Sequence, residues 1–162
     1  MNYIGIDPGQ TGGIAFVNDE TVLTFVMPQK KEKGYDIGRI GKILESFKSQ
    51  GPLRCYMEKL NGFPGMASNS TFNLGKGYGI LIGVLGCLDI EVSYVPARTW
   101  QAVMWPVFTE KNLDSKYKSF IASQKVFPAH NFLKSKRCSR PHDGMIDAAL
   151  IAEYGRLKNR LL

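Results

Sequence analysis

The sequence predicts an α/β fold, a five-stranded mixed sheet whose first three strands are antiparallel, flanked by helices on both faces. Three observations predict it. The chain opens with short apolar runs that read as strands, it then alternates helical apolar spacing with further strand-like runs, and Gly, Pro and Asn clusters separate the segments. At 162 residues, 44% hydrophobic and 11% aromatic, it holds material for one core, which predicts a single domain over 1–162. No internal repeat, interdomain linker or low-complexity stretch is visible.

Residues 3–7 read as a buried strand, 8–12 as a tight turn containing Pro8 and Gly9, and 13–17 as a second strand. Asn18 and Asp19 turn the chain into a third strand over 21–27, stopped by Pro28. A polar, lysine-rich connection leads to a helix whose apolar residues Ile37, Ile40, Leu44 and Phe47 recur at helical spacing, ending at Gly51-Pro52. A fourth strand over 53–58 is apolar enough to be central and finishes on Glu58. After a Gly/Pro loop, residues 68–88 are helical, with Gly75, Gly79 and Gly83 four apart on one face. That stripe permits close packing of helix on sheet or a contact between two subunits. A fifth strand spans 90–95, and Pro96 opens a short helix through 101. Residues 115–127 and 143–158 complete the helices, the last packing through Met145, Ala148, Ala149, Ile151 and Ala152.

The composition carries 21 Lys and Arg against 14 Asp and Glu, a formal +7. Residues 1–110 are balanced and so are 141–162, so the whole excess lies in 111–140. There Lys111, Lys116, Lys118, Lys125, Lys134, Lys136, Arg137 and Arg140 face only Asp114. Such a segment is either a solvated face or the footprint of a polyanion. Cys55, Cys87 and Cys138 lack any C-x-x-C pairing, which suggests a reduced, cytoplasmic protein whose thiols are buried fillers. No signal peptide is evident, and no apolar run is long enough to span a bilayer.

Four acids stand at the ends of predicted elements. Asp7 closes the first strand, Glu58 closes the fourth, and Asp143 and Asp147 lie one turn apart at the start of the last helix. If the first and fourth strands are neighbours and the last helix crosses their ends, the four converge. Such a cluster persists with compensating cations, and oxygen-only ligands select Mg²⁺ or Mn²⁺. Two such ions, about 3.5 to 4 Å apart, serve phosphodiester cleavage. Each acid also has a plain structural alternative: Asp7 as a turn former, Asp143 as a charge on the helix dipole, Glu58 paired with Lys59. His142 is a candidate ligand, outer partner or general acid, and His130 reads as loop surface.

These residues resemble the phage-encoded branch of the RuvC-type Holliday junction resolvases, within the ribonuclease H-like nuclease superfamily. The matching blocks are Ile4-Gly5-Ile6-Asp7-Pro8-Gly9 with Gly12-Gly13, Tyr56-Met57-Glu58, Phe72-Asn73-Leu74-Gly75-Lys76-Gly77-Tyr78-Gly79 and Pro96-Ala97-Arg98-Thr99-Trp100-Gln101. Asp114-Ser115-Lys116 and the run from His142-Asp143-Gly144-Met145-Ile146-Asp147 to Ala152 complete them. The resemblance implies a ribonuclease H-like fold, two Mg²⁺ ions (Mn²⁺ substituting) on Asp7, Glu58 and Asp147, and symmetric cutting of four-way DNA junctions by a homodimer. Cellular members place the penultimate ligand three residues before the last, where this chain has Gly144, so the fourth ligand is expected at Asp143, with His142 the alternative. Lys116 matches a lysine near the scissile phosphate, and Phe63, or else Met66, an aromatic wedge at the crossover. Lys118 and Arg98 are expected to contact the DNA backbone, and Lys134, Lys136, Arg137 and Arg140 to bind DNA. The competing expectations are the same fold acting on other branched DNA or on RNA/DNA hybrids, and, more remotely, an actin-like ATP-binding fold suggested by the Gly9 to Gly13 turn.

Overall fold

Strand β1 (Asn2–Asp7) sends alternate side chains to opposite faces, and the layering of the molecule follows from that alternation. The computed structural model describes residues 1–32, 34–60, 67–108 and 112–160. β2 (Gly13–Val17) and β3 (Val22–Val26) extend the sheet antiparallel on one side of β1. β4 (Leu53–Glu58) and β5 (Val92–Val95) extend it parallel on the other, giving five strands in the order β3-β2-β1-β4-β5. This is the expected mixed sheet with its antiparallel first three strands.

One face of the sheet presents Ile4, Ile6, Ile14, Phe16, Cys55 and Met57. Against it lie α1 (Ile37–Lys48) and α2 (Ser68–Cys87), which contribute Ile40, Leu44, Phe47, Leu81 and Leu85, with Phe16 stacked on Phe47 at 4.7 Å. Asp36 caps α1, its carboxylate accepting the Arg39 N–H at 3.0 Å. Ile37, expected in this face, is instead 46% exposed. The opposite face presents Tyr3, Ala15, Val17, Tyr56 and Val95 to α3 (Ala97–Met104), α4 (Ser115–Val126) and α5 (Asp143–Arg160). α3 runs a turn beyond its predicted end because Trp100 and Met104, four apart, both bury. β5 starts at Val92 rather than at 90, although Ile90 is buried.

α5 is buried almost all round from Gly144 to Gly155, Asp147 being the partly open residue in that span. Its close seat needs small residues on both partners. A Cβ on Gly5 would stand 1.9 Å from the Ala148 carbonyl oxygen, and one on Gly13 would stand 2.5 Å from the Gly144 carbonyl oxygen. Gly144 in turn sits over the turn after β1, where a Cβ would come 2.3 Å from the Thr11 carbonyl oxygen.

The glycine stripe on α2 behaves differently. Around Gly75, Gly79 and Gly83 an added Cβ would meet nothing within 4 Å, so these glycines do not pack on the sheet, and the first of the two readings is corrected. The packed glycine is Gly77, where an added Cβ would come 3.0 Å from the Tyr35 ring. The cysteines also depart from expectation: all three are free, but only Cys55 is buried, and Cys87 is exposed. Among the described residues no helix is long and apolar enough to cross a membrane.

Gly5→Ala is expected to destabilise the fold by about 3 kcal/mol or more, since backbone on α5 cannot yield to a methyl group. Gly41→Ala, inside α1 where a Cβ would meet nothing within 4 Å, is expected to add about 0.5–1 kcal/mol. Urea unfolding of the two variants beside the parent chain measures both. Equal effects would show that the α5 contact is looser than described.

Candidate active site

The carboxylates are positioned by register. β1 and β4 run parallel with Ile6 opposite Met57, so Asp7 and Glu58 follow as the next pair at the same edge of the sheet. Adjacent strands lie about 4.8 Å apart. The alternation that sends Gly5 toward α5 sends Asp7 the same way, and Glu58 shares the parity of Tyr56, which also faces α5. The turn after β1 folds back tightly, with the Gly12 N–H donating to the Gly9 carbonyl at 3.0 Å, and the first turn of α5 rests on it through Gly144. Asp143 and Asp147, at the start of α5, thereby meet the edge that carries Asp7 and Glu58.

Electrostatics record the convergence. Burial holds the Asp7 carboxyl well above the ordinary carboxylate range, and the charges of Asp147 and Glu58 push it further. Burial likewise pushes Asp147 up to about 6; the Ser119 hydroxyl opposes this, Glu58 and Asp143 add to it, and Lys116 opposes it. Glu58 is raised by burial against the Trp100 indole N–H, which donates to its Oε2 at 2.8 Å. The structural alternative, a pair with Lys59, is not formed among the described residues.

Around this centre the helices supply fixed donors. The Trp105 indole N–H donates to the Ser119 hydroxyl at 3.2 Å, holding that group beside Asp147. Lys116 pairs with Asp143 at 2.8 Å on the open rim, with both side chains at least half exposed. His142 accepts the Met145 N–H on Nδ1 at 3.4 Å, and its carbonyl takes the N–H groups of Met145 and Ile146, so it closes the start of α5. His130 is no free surface group: it bonds the Thr24 hydroxyl at 2.9 Å and packs edge-on to Phe132.

A hard cation fits this donor set. Asp147 Oδ1 is buried with no hydrogen-bond partner, the charges of Asp147 and Glu58 raise Asp7, those of Glu58 and Asp143 raise Asp147, and carboxylate oxygens are the donors a hard cation takes. Among the described residues no three such groups yet close round one point as the side chains stand. Asp143 is turned to Lys116 on the rim.

The predicted nucleic-acid contacts lie on α3, on α4 and in the loop before α5. Lys134, Lys136, Arg137 and Arg140 are exposed, and none has an ion pair among the described residues. Their loop is closed at its base by the His142 N–H donating to the Phe132 carbonyl at 2.8 Å. Lys118 lies over the Trp105 ring at 5.4 Å, and Arg98 is exposed on α3. Phe63, Met66 and Lys111 fall outside the described residues. Sequence reasoning missed three groups: Trp100 as the Glu58 donor, Ser119 beside Asp147, and Tyr35. The Tyr35 phenol is pushed up to about 12 by burial and by Asp7, with the Gly9 backbone opposing. Trp100 lay in a quoted motif with no role attached, whereas Tyr35 sat unmarked in a polar loop.

No protein-family model and no curated protein matches the chain. Solved structures do. The RuvC of T. thermophilus in complex with a Holliday junction substrate matches with a TM-score of 0.69 at 17% identity, covering 99% of this chain and 96% of that one. A second Thermus thermophilus RuvC structure matches with a TM-score of 0.60 at 16% identity over the same shares. The chain has the RuvC fold, within the ribonuclease H-like class.

The raised carboxyls give stability a definite pH dependence in metal-free protein. Folded Asp147 holds its proton up to about 6 against 3.8 for the free group, so the stabilisation from its protonation is complete below 3.8 and is lost as pH rises through 6. The loss amounts to about 3 kcal/mol, and Asp7 adds in the same direction. Urea unfolding in EDTA is therefore expected to give a lower midpoint at pH 8 than at pH 5. Asp147→Asn should flatten that difference, and Mg²⁺ should restore stability to the parent chain at pH 8 but less to the variant. A parent chain equally stable at both values and indifferent to Mg²⁺ would rule the carboxylate nest out.

Proposed function

We propose that this chain is a metal-dependent endonuclease that resolves four-way DNA junctions by symmetric phosphodiester hydrolysis, acting as a homodimer and belonging to the phage-encoded branch of the RuvC-type resolvases. The observation that carries the reading is the buried carboxylate cluster: Asp7 and Glu58 on adjacent parallel strand ends, facing Asp147 with its unpartnered Oδ1. A buried group of mutually repelling acids is costly unless its chemistry needs it. The RuvC fold, extending over 99% of the chain, supports reading residues 1–162 as one nuclease domain.

Asp7, Glu58 and Asp147, with Asp143 as fourth ligand, would hold two Mg²⁺ ions, or Mn²⁺ in their place, which supply an activated water and stabilise the leaving oxygen. The protein's own contribution is position. The β1–β4 register fixes Asp7 against Glu58, the Trp100 indole fixes the Glu58 rotamer, and the glycine seat of α5 fixes Asp147. Lys116 offers a point charge on the rim, where a phosphate oxygen gathers charge in the transition state. The loop bearing Lys134, Lys136, Arg137 and Arg140 attracts the backbone without reading sequence. The open glycine stripe of α2 offers a face for a second subunit, and two sites related by a two-fold axis match the symmetry of a four-way junction. The RuvC solved with a Holliday junction supports the same substrate class for this chain.

Cleavage of a synthetic four-way junction in Mg²⁺, beside a Y-fork, a flap and an RNA/DNA hybrid, tests the reading. The junction is expected to be cut in preference, on two strands symmetrically. Asp7→Asn should abolish cutting while keeping junction binding, and Lys116→Ala should slow cutting more than it weakens binding. Lys134→Ala and Arg137→Ala should each weaken binding and lower its salt slope by about one. Preference for the hybrid, or unchanged cutting by Asp7→Asn, would overturn the assignment, and tight ATP binding without cutting would favour the actin-like alternative.

A further inference from the structure

The turn that follows Asp7 has two sides. One carries α5, and the other borders a polar trough between α1 and α2. The trough begins as a cavity of about 260 Å³ at Gly9, Gln10, Tyr35 and Asn73. It continues, sharing Gln10, Tyr35 and Asn73, into one of about 300 Å³ bordered by Lys30 and Lys76. No Asp or Glu lines either part, and neither lysine has an ion pair among the described residues. The loop carrying Lys30 is tied in place: the Gln29 side-chain amide donates to the Gln10 carbonyl, the Lys30 N–H donates to the Gly34 carbonyl at 2.9 Å, and Gln29 bridges Tyr35.

We propose that this trough receives one unpaired nucleotide of the DNA substrate, its phosphate between Lys30 and Lys76 and its base within reach of the Asn73 and Gln10 amides. Two cations without counter-charges select an anion. The volume lies at the low end of the roughly 300–1,000 Å³ of small-ligand sites, which suits one nucleotide better than a duplex. Amides that donate and accept can read a base edge. The trough opens at Gly9, two residues past Asp7, so an occupant here lies on the strand that approaches the carboxylates. This rests on the nuclease reading and extends it to a nucleotide subsite on the face opposite the lysine-rich loop.

The test uses the full chain with fluorescein-labelled oligothymidylate and a labelled four-way junction. Lys30→Gln/Lys76→Gln is expected to weaken binding of both on the order of tenfold at moderate salt and to lower the salt slope by about two. Asn73→Ala should weaken oligothymidylate binding by about fivefold with the slope unchanged. DNA carrying 5-iodouracil should crosslink to peptides containing Tyr35 or Asn73. If both variants bind as the parent chain does and crosslinks map only to residues 115–140, the subsite is refuted, while junction cutting by the parent chain keeps the nuclease reading intact. If the parent chain cuts no branched DNA yet crosslinks in the trough, the nuclease reading falls and the subsite stands.

Discussion

Everything at the site depends on how close α5 can come to the sheet. The helix lies on β1 and β2 at a distance that only a hydrogen at Gly5, Gly13 and Gly144 allows, because each would otherwise drive a methyl group into backbone. Such contact surrounds the helix with protein, so its few polar groups must be answered internally. Glu153, 4% exposed, is answered by Arg156, which forks to both carboxylate oxygens at 2.6 Å and reaches Asp19 at 2.8 Å. Asp147 Oδ1 receives no such answer. On one helix the burial of Glu153 is compensated by an arginine and that of Asp147 Oδ1 is left open, which is why Asp147 and not Glu153 is proposed as a cation ligand.

The cost of the open acid is distributed over the neighbouring elements. α3 supplies the Trp100 indole to Glu58, α4 supplies Ser119 and Lys116, and the Trp105 indole at the end of α3 holds the Ser119 hydroxyl. These donors restrict rotamers more than they neutralise charge, since Asp7 and Asp147 both remain above the ordinary carboxylate range. A scaffold that holds acids close together by rigid packing, at the cost of raising their proton affinity, is the arrangement expected where ligands must be preorganised for a cation.

How much of this was legible in the sequence follows from which physics is local. Strand and helix patterns are local, so the sheet, its antiparallel opening and all the helices could be read from spacing. The acids could be read as well, because all four stand at element ends and only a neighbouring pair of strands was needed to bring Asp7 to Glu58. Glycine spacing was less informative. It marks a smooth face but not what covers it, so the α2 stripe looked packed and is open, while the decisive glycines, Gly5, Gly13 and Gly144, have no shared period. Long-range hydrogen bonds left no trace either: Trp100 lies 42 residues from Glu58, and nothing in its surroundings announces the pairing.

Charge arithmetic illustrates the same limit from the other side. Residues 1–110 are balanced in total, yet no Asp or Glu lines the trough that Lys30 and Lys76 border. The net +7 therefore understates the segregation. A cationic loop precedes α5, a cationic trough lies beside α2, and the turn from Pro8 to Gly12 stands between them with Asp7 at its root. A polyanion held at both ends must cross the acids in the middle, where bare carboxylates repel it. On the proposed reading the cations that quench that repulsion and the DNA that crosses it favour each other's binding reciprocally. The acids then act as a gate on the grip as well as ligands for the cut.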